Sequence, residues 1–180
     1  MPDTAAQNLT RLSTPTELPT RSGLTISVRA ATAADEHALI ALFDQITPED
    51  RRFRFLAASE HLSHDQLEPL IHADHYSSES FVAFDPASGE LVASALLASD
   101  KALDTAEIAV SIREDYKGKG VGWALLDLLG REAERRGVRQ VIAIESRDNH
   151  AAIELEREKG FIPAPFEDDP TLVVLSRSFR

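Results

Sequence analysis

Between Thr105 and Ser146 the chain lays down a strand pattern, a glycine-rich loop, a long amphipathic run and a second strand pattern. In TAEIAVSI (105–112), Ala106, Ile108, Val110 and Ile112 fall on one side and Glu107, Ala109 and Ser111 on the other, the period of a half-buried strand. From Gly120 to Arg136, Val121, Ala124, Leu125, Leu128, Leu129 and Ala133 recur at helical spacing. Arg135 and Arg136 complement the negative end of that helix, and Gly137 can terminate it. QVIAIES (140–146) then reads as a β-rich, buried strand. A helix of this length between two strands demands a sheet to pack on, which sets the class as α/β.

The flanks extend the same pattern. A first strand is expected over Leu24–Arg29, then a helix capped by Thr32 with Ala38, Leu39, Leu42, Phe43 and Ile46 on one face. Pro48 opens a short second helix through Leu56, and SHDQLEPLIHA (63–73) a weaker third. SFVAF (80–84), the turn DPASGE and LVASALLAS (91–99) make a hairpin. Asp148 or Asn149 caps a further helix that ends near Gly160, and TLVVLSRSF (171–179) is the last strand. No internal repeat interrupts this order, so residues 23–180 are expected to form one domain with a mixed sheet. Residues 1–22, rich in Thr, Ser and Pro and poor in large apolar groups, are expected to be a mobile leader.

The loop YKGKGVGW (116–123) allows two readings. Glycine is the default residue of a strand-to-helix turn that needs positive φ. Yet Gly120 and Gly122 fall in the first helical turn, where each costs about 1 kcal/mol relative to alanine. Two such costs suggest that something approaches the backbone closely. First-turn N–H groups lack helical acceptors and carry the positive end of the dipole, and Lys117 and Lys119 add charge. That is a competent pyrophosphate cradle. It is neither a dinucleotide fingerprint, since Trp123 stands where the third glycine would be, nor a P-loop, whose string is absent.

Composition narrows the partners. Across 180 residues the formal net charge is −11, which argues against nucleic acid or anionic membrane as the main partner. Without cysteine there is no disulfide, thiolate nucleophile or Cys-type zinc site. No signal-peptide core or membrane-span length of apolar residues is present, so a cytoplasmic setting is expected.

YKGKGVGWALL resembles the acetyl-CoA-binding motif R/Q-x-x-G-x-G/A of the GNAT superfamily of N-acetyltransferases, with Lys117 at the R/Q position and Gly120 and Gly122 at the glycines. NHAAIELEREKGF resembles the family's N-x-x-A-x-x-L-Y-x-x-x-G-F block through Asn149, Ala152, Leu155, Gly160 and Phe161. Upstream, TPEDRRFRFL, LSHDQL and TAEIAVSIREDYKGKGVG look like the catalytic domain of Pat-type bacterial protein lysine acetyltransferases. The resemblance implies a GNAT-like, mostly antiparallel mixed sheet with helices on both faces. It implies acetyl-CoA as cosubstrate, no metal, an amine acceptor such as a protein lysine, and a monomer or homodimer. A small-molecule amine and a non-catalytic acyl-CoA-binding module are the alternatives.

Residue by residue, it implies that the backbone of Val110 and Ile112 meets the pantetheine arm. N–H groups of Lys117, Gly118, Lys119, Gly120, Val121, Gly122 and Trp123 meet the pyrophosphate, and Asn149 bonds the arm or sits near the sulfur. Acyl transfer needs a neutral amine, and holding a free lysine neutral at pH 7 costs about 4.6 kcal/mol, so a base is required. Glu107 is that candidate, by likeness to the glutamate of an "AE" pair in Pat-type domains, with a backbone N–H, at Ile108, facing the carbonyl oxygen. Taken alone, Glu107 is an ordinary exposed strand carboxylate. Glu156 stands where many relatives have a tyrosine acid, and an ionised carboxylate there cannot donate a proton.

Other clusters carry less. His61 and His64, then His72 and His75, have i, i+3 spacing with Asp65 and Asp74 nearby, but lack a wider metal-ligand pattern. His72, His75 and Tyr76 are candidates for the amine side. RRFRF (51–55) mixes basic and aromatic residues, but in an acidic chain its phenylalanines are expected to pack inward.

Overall fold

A computed structural model of the chain describes residues 3–46 and 64–179. The elements run α1 (Thr4–Ser13), β1 (Thr16–Pro19), β2 (Thr25–Ala30), α2 (Glu36–Phe43), α3 (His64–Ile71), β3 (Ser78–Phe84), β4 (Leu91–Ser99), β5 (Thr105–Ile112), α4 (Val121–Arg135), β6 (Gln140–Ser146), α5 (His150–Glu158), β7 (Ile162–Pro165) and β8 (Leu172–Ser178). Short 3-10 turns precede α2 and α4, at Ala33–Asp35 and Glu114–Tyr116. The expected helix from Pro48 lies outside the described residues. Among those described, no helix is long and apolar enough to cross a membrane.

The strands form one 8-stranded sheet in the order β1-β2-β3-β4-β5-β6-β8-β7. Its pairs are antiparallel except β5 with β6, which run parallel. Helices cover both faces. On one, α4 packs Val121, Ala124, Leu125 and Leu129 against Ile26, Phe81, Ala95, Leu97, Ala106 and Ile108. On the other, Leu39, Leu42 and Phe43 of α2 and Leu67, Leu70 and Ile71 of α3 close over Val82 and Leu96. This explains why β3 and β4 read as nearly continuous apolar runs: alternate residues serve different cores.

Parallel pairing of β5 and β6 is short, joining Thr105 to Gln140, Ala106 to Val141 and Glu107 to Ile142. Beyond Glu107 the strands part while β5 stays paired with β4 as far as Ile112. The sheet therefore opens into a V whose closed end is Glu107.

The N-terminal segment is not the mobile leader that composition suggests. Asp3 caps α1 by accepting from the Ala5 N–H at 3.1 Å. Asn8 donates to the His75 carbonyl at 2.8 Å, and Arg11 grips Glu132 with bonds of 2.6 and 3.1 Å. Leu12 and Leu18 add to the α4-side core, and β1 pairs along β2. Few large apolar residues are needed because polar bonds to distant, buried partners supply the docking. A strand at Ile162–Pro165 was likewise not expected, since it holds Pro163 and Pro165. It survives because it is the outermost strand beside β8, where a missing N–H goes unfelt.

Candidate active site

The gap between β5 and β6 is a cavity of about 450 Å³. Val110 and Ile112 of β5 form one wall, Glu145 of β6 and Asn149, Ala152, Leu155 and Glu156 of α5 the other, and the glycine loop closes one end. Of the residues singled out for cosubstrate contact, Val110, Ile112, Lys117, Gly118, Gly120, Val121, Gly122, Trp123 and Asn149 line it. Lys119 stands just outside, its ammonium 4.9 Å over the Tyr116 ring and its carbonyl accepting from the Ser22 hydroxyl.

The loop is held from both sides. Upstream, Arg113 bonds Asp115 at 2.7 Å and Glu90 at 3.1 Å, while the Tyr116 hydroxyl donates to Asp85 at 2.5 Å. Gly118 and Gly120 both take positive φ, 76° and 84°, so the turn requirement is met at those positions. Close approach explains the rest, but the approaching groups belong to the protein. A Cβ at Gly120 would lie 3.2 Å from the Arg21 nitrogen and the Thr20 Cβ. At Gly122 it would lie 3.0 Å from Leu155 Cδ2 and 3.1 Å from Ile112 Cδ1. Gly122 thus lets α4, α5 and β5 converge behind the loop.

Positive charge gathers at the loop end. Arg21 and Lys117 line the cavity, and Trp123 carries Lys159 at 3.6 Å and Arg21 at 5.9 Å from its ring centroid. With the first-turn N–H groups of α4, this end can hold a diphosphate. Asn149 is the N-cap of α5, its side chain accepting from the Ala152 N–H at 3.4 Å, and it faces the cavity as well.

Glu107 is half-buried at the closed end of the V, opposite Ala98 of β4 and Ile142 of β6. It is not on the cavity wall. By strand alternation it projects away from Ala106, Ile108, Val110 and Ile112, toward the α2 and α3 face that Ala109 also meets. The cavity and Glu107 therefore address the gap from opposite faces of the sheet, which suits a reaction between two substrates arriving from opposite sides.

Glu156 differs from its expected state. Only 4% exposed, it shares the cavity wall with Glu145, itself 5% exposed. Burial pushes its carboxyl up to about 7, with the nearby Glu145 acting the other way. It is not the fully ionised group that exposure at neutral pH would give. Arg21, Ser22, Tyr116 and Glu145 are cavity residues that sequence reasoning missed. Glu145 had a visible signal: it is in phase with the buried Val141 and Ala143, where a carboxylate is out of place. Arg21 and Ser22 had none.

His72 pairs with Glu68 at 2.6 Å and His75 with Glu79 at 2.7 Å. His61 and RRFRF lie outside the described residues, as does the side chain of His64.

Comparison with known proteins adds to this geometry. The model of the Acetyltransferase (GNAT) family matches residues 27–161. An acetyltransferase of Pseudomonas aeruginosa is 30% identical over 154 residues, 84% of this chain and 83% of that one. Among solved structures, the GNAT domain of S. lividans PAT shares the fold at a TM-score of 0.82 and 24% identity, over 92% of this chain and 97% of that one. A cAMP-binding acyltransferase from Mycobacterium smegmatis matches with a TM-score of 0.65 at 22% identity, over 98% of this chain but 50% of that longer one.

Proposed function

The chain belongs to the acetyltransferase (GNAT) family, and from that premise we propose that it transfers the acetyl group of acetyl-CoA to the side-chain amine of a protein lysine. GNAT acetyltransferases use acetyl-CoA and act on amines; the protein-lysine acceptor is the narrower reading. The observation that carries it is the V between β5 and β6, with a cationic glycine loop at one end and the carboxylate of Glu107 at the closed end. The net charge of −11 favours a cationic acceptor, and the fold likeness to the S. lividans PAT domain agrees with it.

In this reading acetyl-CoA supplies an activated acyl group on a leaving thiol of low basicity. The N–H groups from Lys117 to Trp123, with Lys117 and Lys119, hold its pyrophosphate. Backbone groups of Val110 and Ile112 align the arm in the gap, and Asn149 bonds it from the α5 side. Glu107 takes the proton from the incoming ammonium, directly or through water, and so removes the cost of about 4.6 kcal/mol of presenting a neutral lysine at pH 7. The N–H of Ile108, the first β5 residue past the parallel pairs, faces the carbonyl oxygen as charge develops there.

The test compares wild type with Glu107→Gln for acetyl transfer to a lysine-bearing protein across pH. A loss of about 10²–10⁴ in kcat, recovered in part at high pH where the amine is already neutral, is expected. An unchanged rate constant across the range removes Glu107 from the role. Turnover on small amines with none on protein would reassign the acceptor.

A further inference from the structure

The turn between β1 and β2 reaches the glycine loop from outside the residues that the family model matches. That match covers 27–161, so Thr20, Arg21 and Ser22 lie before it. Yet the turn packs on the N-cap of α4: a Cβ at Gly120 would lie 3.2 Å from the Arg21 nitrogen and 3.3 Å from its Cγ. The Ser22 hydroxyl donates to the Lys119 carbonyl, and the Gly23 N–H closes the turn on the Thr20 carbonyl at 3.1 Å. Further upstream, Arg11 fastens α1 to Glu132 of the same helix α4. The backbone of Arg21 is therefore held in place against the loop from both directions along the chain.

Its side chain extends the cavity outward. Arg21 lines the cavity, and its guanidinium reaches Glu158 at 2.9 Å, beyond Glu156, the last α5 residue on the wall. It also lies 5.9 Å from the centroid of the Trp123 ring, which carries the Lys159 ammonium at 3.6 Å. Lys159 is engaged with Asp127 at 3.5 Å. Both partners of the Arg21–Glu158 pair are about half exposed, so the pair is weak and the guanidinium can exchange to a more highly charged anion. The N–H groups of the loop and Lys117 already serve a diphosphate. Coenzyme A carries a further phosphate on its ribose, a monoester of charge about −1.5 to −2 at pH 7. Its terminal oxygens match the planar fork of a guanidinium.

On the reading that this cavity takes acyl-CoA, we propose that Arg21 binds the ribose monoester phosphate of the cosubstrate. The segment ahead of the family match then sets a preference for CoA over a carrier lacking that phosphate.

Calorimetric titration with CoA and with dephospho-CoA tests this on wild type, Arg21→Gln and Arg21→Lys. Wild type should bind CoA about tenfold or more tightly than dephospho-CoA, the scale of a charge-assisted hydrogen bond. Arg21→Gln should weaken CoA about tenfold and dephospho-CoA less than about twofold, which removes the preference. Arg21→Lys, which keeps the charge without the fork, should fall between the two. The wild-type comparison needs no variant and stands if a substitution disturbs the turn. Equal weakening of both ligands by Arg21→Gln would move Arg21 to the diphosphate and overturn the proposal, as would a wild type that binds the two alike. No binding of either ligand by wild type overturns the cavity reading and this proposal with it.

Discussion

Glutamate is buried in two places in this molecule, and the two sites treat it in opposite ways. Glu79 on β3 and Glu132 on α4 are 0% and 3% exposed, with Arg136 between them at 2.9 and 3.1 Å. Arg11 of α1 adds two bonds to Glu132, and His75 one to Glu79. Burial alone would raise the Glu132 carboxyl, but Arg11 and Arg136 outweigh it and hold it below the usual range. Glu145 and Glu156 are as deeply buried, yet at Glu156 burial prevails and pushes the carboxyl up to about 7. Burial is common to both sites; the arginines at the first make the difference. The first cluster ties α1, β3 and α4 together away from the cavity. The second lies in the cavity wall, where a carboxyl held near neutrality is chemically useful.

The contrast can be broken most sharply at the arginine. Arg136→Met leaves Glu79 and Glu132 without their shared cation in the interior, and unfolding in urea should show a loss of about 3–5 kcal/mol. A loss below about 1 kcal/mol would mean that water or a shifted Arg11 replaces it. The acid pair gives a smaller effect with a distinctive pH signature. The folded-state value for Glu156, about 7, lies above its ordinary 4.5, so between these the folded protein holds more protons than the unfolded chain. Its contribution is intact below the lower value and is lost as pH rises toward the upper one. Wild type should therefore weaken relative to Glu156→Gln by about 3 kcal/mol from pH 4.5 to 7, measured as the difference between their denaturation curves. A difference that does not vary with pH would place Glu156 in the same class as Glu132. The smallest effect is expected at Arg21 and Glu158, an ion pair at 2.9 Å with both side chains about half exposed. Glu158→Gln should change stability by about 0.5 kcal/mol or less, and still less in high salt. A larger effect would show that the pair steadies Arg21 against the glycine loop.

Elements with strong local periodicity could be read directly from the chain. Strands β4, β5 and β6 begin and end where alternation and turn residues place them, and α4 differs from expectation only in that Gly120 and Arg136 are its caps. The loop was legible as a candidate anion site, because glycines in a first helical turn need a reason. Part of that reason was hidden: the contacts of Gly122 with Leu155 and Ile112 join residues far apart in sequence. The same limit concealed α1 and β1. Their docking rests on Asn8 with His75 and Arg11 with Glu132, pairs that no local pattern announces. It also concealed Arg21 and Ser22 as cavity residues, since their segment looked like a tail. Glu145 could have been noticed by its phase on β6, but its partner on α5 emerges only when helix and strand are brought together.

The three residue pairs joining β5 to β6 make the sheet, in cooperative terms, two ladders with one narrow weld. Strands β1 to β5 form one continuous antiparallel ladder, and β6, β8 and β7 form another. Sub-global opening that spares both ladders must break that weld and the packing of α4. Amide hydrogens at Thr105–Glu107 and Gln140–Ile142 are therefore where separation of the halves would be felt first. A molecule seated in the gap would act as a rivet between them, slowing exchange at positions it never touches.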